Sequence, residues 1–239
     1  MQKLFVDFIP ENRIVLDKEQ SRHIAKSLRM RVGDMLTLAC GDGFDYGCII
    51  DEIDAESVIL TVCYKQASNC EPSVKVSLYQ GVPKGDKMED IIQKCTELGI
   101  YEITPTLTHR SVSRPDEKSA KKKNARYQKI ALEAAQQSGR GIVPVINNMT
   151  SLENAVKNDT TALKILFYEG GGESLNTVIP SDVDSVSIYI GPEGGFEESE
   201  VELIKNNGGV VASLGARILR TQTAPVAALT AIMLLTDNM

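Results

Sequence analysis

Two glycine-bearing turns near the C-terminal end carry the groups best placed to do chemistry. In the first, Gly191-Pro192-Glu193-Gly194-Gly195-Phe196 follows the apolar run Ser187-Ile188-Tyr189-Ile190. In the second, Ala216-Arg217-Ile218-Leu219-Arg220-Thr221-Gln222-Thr223-Ala224 follows Val210-Val211-Ala212-Ser213-Leu214-Gly215. A β-rich run, then glycines, then a helix start is how an α/β protein lines a ligand crevice at the carboxyl ends of its strands. Glycines let main chain approach the ligand closely. The first turn is not G-x-G-x-x-G, and no Lys-Ser/Thr pair follows it as in a phosphate-cradling loop. Glu193 sits inside it, and Glu197, Glu198 and Glu200 follow at once. Carboxylates there complement a helix N-terminus but repel phosphate. The turn suits a neutral or cationic ligand, the alternative being a helix start with no ligand at all.

The second turn brings Arg217, Arg220, Thr221 and Thr223 together, groups that bind an adenosine, a carboxylate or an RNA phosphate. Thr223 before Ala224-Pro225 also reads as a plain helix cap with proline in the first turn. Lys84-Gly85-Asp86-Lys87 is a polar turn after a strand; Glu133, Gln136, Gln137 and Arg140 end a helix. With two histidines, His23 and His109, no Ser-His-Asp or Cys-His arrangement and no histidine-built metal site is indicated. The five cysteines (Cys40, Cys48, Cys63, Cys70, Cys95) include no C-x-x-C pair and read as reduced structural thiols.

The elements that position these turns change character along the chain. Residues 4–8, 35–39, 47–54 and 57–64 read as strands broken by Gly33-Asp34 and Gly41-Asp42-Gly43, with one helix over 18–28. That pattern predicts a small β-barrel over residues 1–70, and 67–73 reads as a linker. Beyond it, strands over 74–79, 103–107, 163–168, 185–190 and 209–214 alternate with helices over 87–98, 118–138, 199–206 and 224–235. The alternation predicts a mostly parallel sheet covered by helices over 73–239. The last helix is nearly all apolar and must be buried, in the core or in a subunit contact.

At 239 residues, 42 % hydrophobic and 24 % charged, the chain has the composition of a soluble globular protein, and no apolar run is long enough to span a membrane. Met1-Gln2-Lys3-Leu4-Phe5 lacks a signal-peptide core, so a cytoplasmic location is expected. The net charge of −6 hides two basic clusters. Residues 22–31 hold Arg22, Lys26, Arg29 and Arg31 with no acid; residues 109–129 hold eight basic residues against Asp116 and Glu117. These local balances of +4 and +6, set against the overall −6, leave −16 for the remainder. A solvated helix face explains the Lys121-Lys122-Lys123 run alone, but two separate clusters point to an anionic polymer.

The paired C-terminal motifs, Gly191-Pro192-Glu193-Gly194-Gly195-Phe196 with Leu214-Gly215-x-Arg217-Ile218-Leu219-Arg220-Thr221-x-Thr223-Ala224, resemble those of the ribosomal small subunit methyltransferase E family, a branch of the SPOUT (trefoil-knotted) methyltransferases. The likeness continues through Lys84-Gly85-Asp86-Lys87-Met88-Glu89, Gln93-Lys94, Glu97-Leu98-Gly99, Arg110-Ser111, Gln137-Ser138-Gly139-Arg140, Val143-Pro144 and, upstream, His23-Ile24 with Leu28-Arg29-Met30. It departs at Gln222, where many relatives have Glu, and at Ala216, where many have Pro.

The resemblance implies a PUA-like RNA-binding β-barrel over 1–70 and a SPOUT methyltransferase domain with a C-terminal knot over 73–239. It implies S-adenosylmethionine as donor, an obligate homodimer, and methylation of uridine N3 in 16S ribosomal RNA, within the small subunit. It places the donor at Phe167, Tyr168, Glu169, Gly191, Pro192, Glu193, Gly194, Gly195, Ser213, Leu214, Gly215, Ile218, Leu219, Arg220, Thr221, Thr223 and Ala224. Under it the RNA lies on Arg22, His23, Arg29, Arg31, Lys84, Lys87, Arg110, Gln137 and Arg140, and Arg220 has the catalytic, electrostatic role. No metal is implied. Two other readings are a non-catalytic RNA-binding module and, lacking its glycine fingerprint, a nucleotide-dependent oxidoreductase.

Overall fold

The computed structural model describes residues 2–54 and 56–239. The chain divides into two compact units, Met1–Glu71 with Ala135–Val143, and Pro72–Ala134 with Pro144–Met239. The first unit thus takes in a short stretch that the sequence pattern assigned to the second.

In the first unit, β1 (Lys3–Phe5), β2 (Arg13–Val15), β3 (Met35–Ala39), β4 (Phe44–Ile53) and β5 (Val58–Ala67) form one sheet in the order β1-β3-β4-β5-β2. Only the β1–β3 pairing is parallel. Leu4, Ile14, Ile24, Leu36, Leu38, Ile50 and Leu60 make its core. The helix expected over 18–28 is present but changes winding. Asp17 caps α1 (Lys18–Arg22), accepting from the Gln20 N–H at 2.8 Å, and His23–Leu28 continues as a π-helix. It stops at Arg29, whose φ of 53° is left-handed. Lys3 is buried, its ammonium donating to both Asp45 oxygens at 2.8 and 2.9 Å and to the Gly139 carbonyl at 2.8 Å.

The second unit contains β6 (Lys75–Gly81), α2 (Lys87–Glu97), β7 (Glu102–Leu107), most of α3 (Glu117–Ser138), β8 (Val145–Ile146), β9 (Thr150–Ser151) and α4 (Leu152–Asn158). It continues with β10 (Leu163–Phe167), β11 (Glu173–Ser174), α5 (Leu175–Val178), β12 (Ser185–Ile190), α6 (Glu198–Asn206), β13 (Gly209–Ser213) and α7 (Ala224–Leu235). The strands lie in the order β11-β13-β10-β12-β6-β7-β8, with β9 also on β7. Every pairing is parallel, as the alternating pattern predicts.

A parallel sheet is covered on both faces, so its central strands are apolar throughout. β12 shows this with Val186, Ile188, Tyr189 and Ile190 all buried. Its buried serine, Ser187, donates to Asp159 at 2.5 Å beside the Tyr189 hydroxyl, which donates to the same carboxylate at 2.6 Å. Burial and that carboxylate push the Tyr189 phenol well above its ordinary range, so it stays a hydrogen-bond donor. Helix α7 buries Ala228, Leu229, Ile232 and Met233, packing on α2, β6 and β12. Burial also pushes the Cys48 and Cys95 thiols up to about 12, which makes them inert structural residues.

Candidate active site

The carboxyl ends of β10, β12 and β13 open into one cavity of about 600 Å³. Residues 167–169, 191–193, 195, 213–215, 218–221 and 224 line it, so nearly all of the expected donor positions converge. Gly194 and Thr223 do not line it. Lys87, Gly171, Ile190, Phe196, Ala216, Arg217 and Gln222 complete the wall.

A fully buried amide ties the walls together. Gln80 Nε2, at the end of β6, donates to the carbonyls of Gly81 at 3.0 Å and Gly191 at 3.4 Å and to Thr221 Oγ1 at 3.1 Å. Thr221 Oγ1 in turn donates to the Gly191 carbonyl at 2.9 Å. One side chain therefore fixes both glycine turns against β6.

The glycines of the first turn, and Gly81 of β6 opposite it, are required by packing within the chain itself. A β-carbon on Gly81 would lie 2.6 Å from Pro192 N, and one on Gly191 would lie 3.0 Å from Gly195 backbone. Gly195 has a φ of +66°, and a β-carbon there would meet the Glu169 carboxylate at 3.1 Å. Gly194 is covered by the Arg110 side chain. The turn's own atoms, with Glu169 and Arg110, occupy the space that side chains there would need.

Its carboxylate has a different partner from the one the sequence suggested. Glu193 accepts from the Lys84 N–H at 3.2 Å and pairs with the Lys87 ammonium. Partial burial opposes ionisation, but the hydrogen bonds from Lys87 and from main-chain N–H groups outweigh it and hold the Glu193 carboxyl below the usual glutamate range. Its charge is thereby balanced within the turn. Glu169 instead makes no hydrogen bond or ion pair among the described residues and lines the cavity as its free carboxylate. Arg217 and Arg220 are likewise exposed and unpaired there, among the described residues. The Arg220 main chain is fixed, its carbonyl accepting from the N–H groups of Thr223 at 2.8 Å and Ala224 at 3.0 Å. Those backbone bonds start α7; the Thr223 hydroxyl makes no capping bond.

The residues expected on RNA divide into three groups. Arg22, His23, Arg29 and Arg31 are exposed on the first unit, with Arg22 donating to Glu56 at 3.1 Å. Lys84 and Arg110 are exposed on the second unit, whereas Lys87 is half-buried in the Glu193 pair, and Gln137 is exposed. Arg140 is a correction: it is 4 % exposed, its Nη2 donates to Glu71 at 2.6 Å, and the same carboxylate accepts from the N–H groups of Gly141 and Ile142. A guanidinium held in this way anchors chain and has no face left for a phosphate. The second basic cluster is also partly neutralised, with Lys121 on Glu117, Arg126 on Glu89 and Lys129 on Glu133. No group of three or more metal-ligating side chains occurs among the described residues, and no helix among them is long and apolar enough to cross a membrane.

Comparison with known proteins matches this architecture in both units. An RNA methyltransferase domain profile matches residues 70–233, and an RNA methyltransferase PUA domain profile matches residues 16–63. Ribosomal RNA small subunit methyltransferase E of Bacillus subtilis is 37 % identical over 99 % of this chain and 98 % of its own length. The protein of the same name from Buchnera aphidicola of Schizaphis graminum is 31 % identical over 95 % of this chain and 93 % of its own. The crystal structure of ribosomal RNA small subunit methyltransferase E from Neisseria gonorrhoeae, bound to S-adenosyl methionine, superposes with a TM-score of 0.91. It is 27 % identical and covers 98 % of each chain.

Proposed function

The chain belongs to the ribosomal RNA small subunit methyltransferase E family, and from that premise we propose that it transfers a methyl group from S-adenosylmethionine to N3 of a uridine in 16S ribosomal RNA. The observation that carries this reading is the cavity: two turns joined by Gln80, with the Glu169 carboxylate and the Arg217 and Arg220 guanidinium groups in its wall, none of them paired among the described residues. About 600 Å³ falls within the range of small-molecule sites. A wall of glycine turns with Phe167, Ile190 and Leu219 suits an adenosine, and the Glu169 carboxylate suits a cationic donor. When bound, S-adenosylmethionine supplies an electrophilic methyl group on a sulfonium centre.

The rest falls to side chains of this protein. The acceptor nitrogen carries a proton in neutral uridine, so attack requires the uridinate or its equivalent. A fixed cation beside the ring lowers the cost of that anion, and the unpaired Arg220 guanidinium on its anchored main chain is assigned this role. Lys87 is excluded from it by its pairing with Glu193. Positioning in the locked cavity supplies the remaining acceleration. The rRNA backbone contacts Arg22, His23, Arg29 and Arg31 in the first unit and Lys84 and Arg110 in the second. The reading includes a homodimer, a knotted threading of the C-terminal segment and a cytoplasmic location where ribosomes are assembled.

The direct test supplies labelled S-adenosylmethionine and small ribosomal subunits that lack the modification. Label is expected in N3-methyluridine on nucleoside analysis. Donor binding without transfer would overturn the acceptor, and absence of both would favour an RNA-binding module.

Arg29 offers a second test, because its left-handed φ separates backbone from side chain. Arg29→Gly keeps that conformation at no steric cost and removes the guanidinium. It is expected to weaken 16S rRNA binding several-fold and to reduce the salt-dependence slope by about one, with the melting temperature essentially kept. A lowered melting temperature with unchanged RNA binding would make Arg29 purely structural.

A further inference from the structure

Arg110 follows β7 and reaches the first glycine turn by contacts of different kinds. Its Nη1 donates to the Gly194 carbonyl at 2.7 Å, and its Nε stands 4.0 Å from Glu197. Its aliphatic stem lies over Gly194 so closely that a β-carbon there would meet Arg110 Cβ at 3.2 Å and Cδ at 3.3 Å. The main chain of the same loop is fixed as well. The His109 N–H donates to the buried Glu200 carboxylate at 2.8 Å, which also accepts from the Glu197 N–H at 2.9 Å. Gly194, which does not line the cavity, is therefore the seat of Arg110.

The other edge of the guanidinium is open. The Arg110 side chain is 46 % exposed, and its Nη2 has no partner among the described residues. An arginine has five N–H donors in a fixed fork, enough to hold a carbonyl on one edge and a phosphate on the other. Lys87, which serves the same turn, differs on this point: its ammonium is a single point charge, and a phosphate would have to compete with Glu193 for it.

We infer that Arg110 is a positioning residue that couples RNA binding to donor binding, gripping an RNA phosphate with its outer edge and the Gly194 carbonyl with its inner one. The inference rests on the donor and RNA reading above. A phosphate that fixes the guanidinium also fixes the turn from which Gly191, Glu193 and Gly195 face the cavity. The ordering cost is then already met when the donor arrives. By linkage the effect is reciprocal, the donor strengthening RNA binding by the same factor.

The experiment titrates S-adenosylhomocysteine, which cannot turn over, into wild type, Arg110→Lys and Arg110→Ala, each with and without saturating 16S rRNA. RNA is expected to tighten the wild-type interaction about five-fold or more, the lower end of ordinary coupling between sites. Arg110→Lys keeps the positive charge but cannot serve both edges, so its ratio is expected near one, as is that of Arg110→Ala. A role confined to holding the turn would weaken binding equally with and without RNA, and a role confined to charge would leave the lysine variant coupled. Either pattern, or an uncoupled wild type, overturns the inference. A wild type that binds no S-adenosylhomocysteine overturns the donor reading and the inference with it.

Discussion

Replacing Arg220 with alanine is expected to lower the rate of methyl transfer about 10²–10³-fold while donor affinity changes by less than about two-fold, the range found when one preorganised charge-stabilising donor is removed. The guanidinium makes no hydrogen bond or ion pair among the described residues, and the turn that carries it is set by main-chain hydrogen bonds to the Arg220 carbonyl, which alanine keeps. The variant should therefore melt like the wild type. Its pH profile is the sharper reading. Without the cation, the uridinate is costlier to form, so the variant's rate should go on climbing at pH values where the wild type has levelled off. Single-turnover rates against pH, with product measured as N3-methyluridine, would show this. A variant that transfers at the wild-type rate removes Arg220 from the chemistry.

Gly81→Ala should act through the opposite route, by shape. The added methyl would stand 2.5 Å from Pro192 Cδ and 2.6 Å from Pro192 N, and neither a ring nor a backbone nitrogen can swing aside. The first glycine turn must move, or β6 must. Overpacking of this kind costs about 1–3 kcal/mol, which for a chain of this size corresponds to a fall of several degrees in melting temperature. The larger consequence is local: displacing Pro192 displaces the Gly191 carbonyl from Gln80 and Thr221. Donor affinity is expected to fall at least about ten-fold, as preorganisation of the wall is lost. Thermal melting and a donor titration on the same preparation test both halves. Unchanged affinity in a well-folded Gly81→Ala would mean that the turn tolerates movement and that its packing does not set the cavity.

The strands and helices that build the second unit were legible where the chain is regular. Strand 185–190 and helix 224–235 coincide with β12 and α7 because both are predominantly apolar, with few polar interruptions. Helix α4 was passed over although its signal was present: Ser151 caps it, accepting from the Asn154 N–H, and Leu152, Ala155 and Val156 are spaced for one buried face. Strands of two or three residues, such as β2, β8 and β9, have too few side chains to show a period of two. The π winding of His23–Leu28 has no propensity signature that separates it from an α-helix.

The candidate site was legible as a pair of turns but not as a network of charges. Which carboxylate each cation meets is decided by tertiary structure. Glu193 and Lys87 are 106 residues apart, and Glu71 and Arg140 are 69 apart. Residue type alone suggests a cationic ligand for Glu193, which lines the cavity but pairs with Lys87, and an RNA contact for Arg140, which is buried against Glu71; no local pattern reveals either partner. The glycines show the same limit, since a close-packed partner and a close-bound ligand demand the same absence of a side chain.

The Gln80 amide spans 111 positions to Gly191 and 141 to Thr221, so the cavity is a property of the completed chain and of none of its parts. Contacts of such long range are slow to form, because loop-closure entropy is lost before they return anything. During synthesis, a chain that has emerged only through Phe196 has the first turn but lacks the Thr221 hydroxyl that pins it. The donor-binding site should be among the last features to mature. The first unit's five-stranded sheet, by contrast, is built entirely from residues made early. Donor binding thus reports that the C-terminal segment has reached its final place.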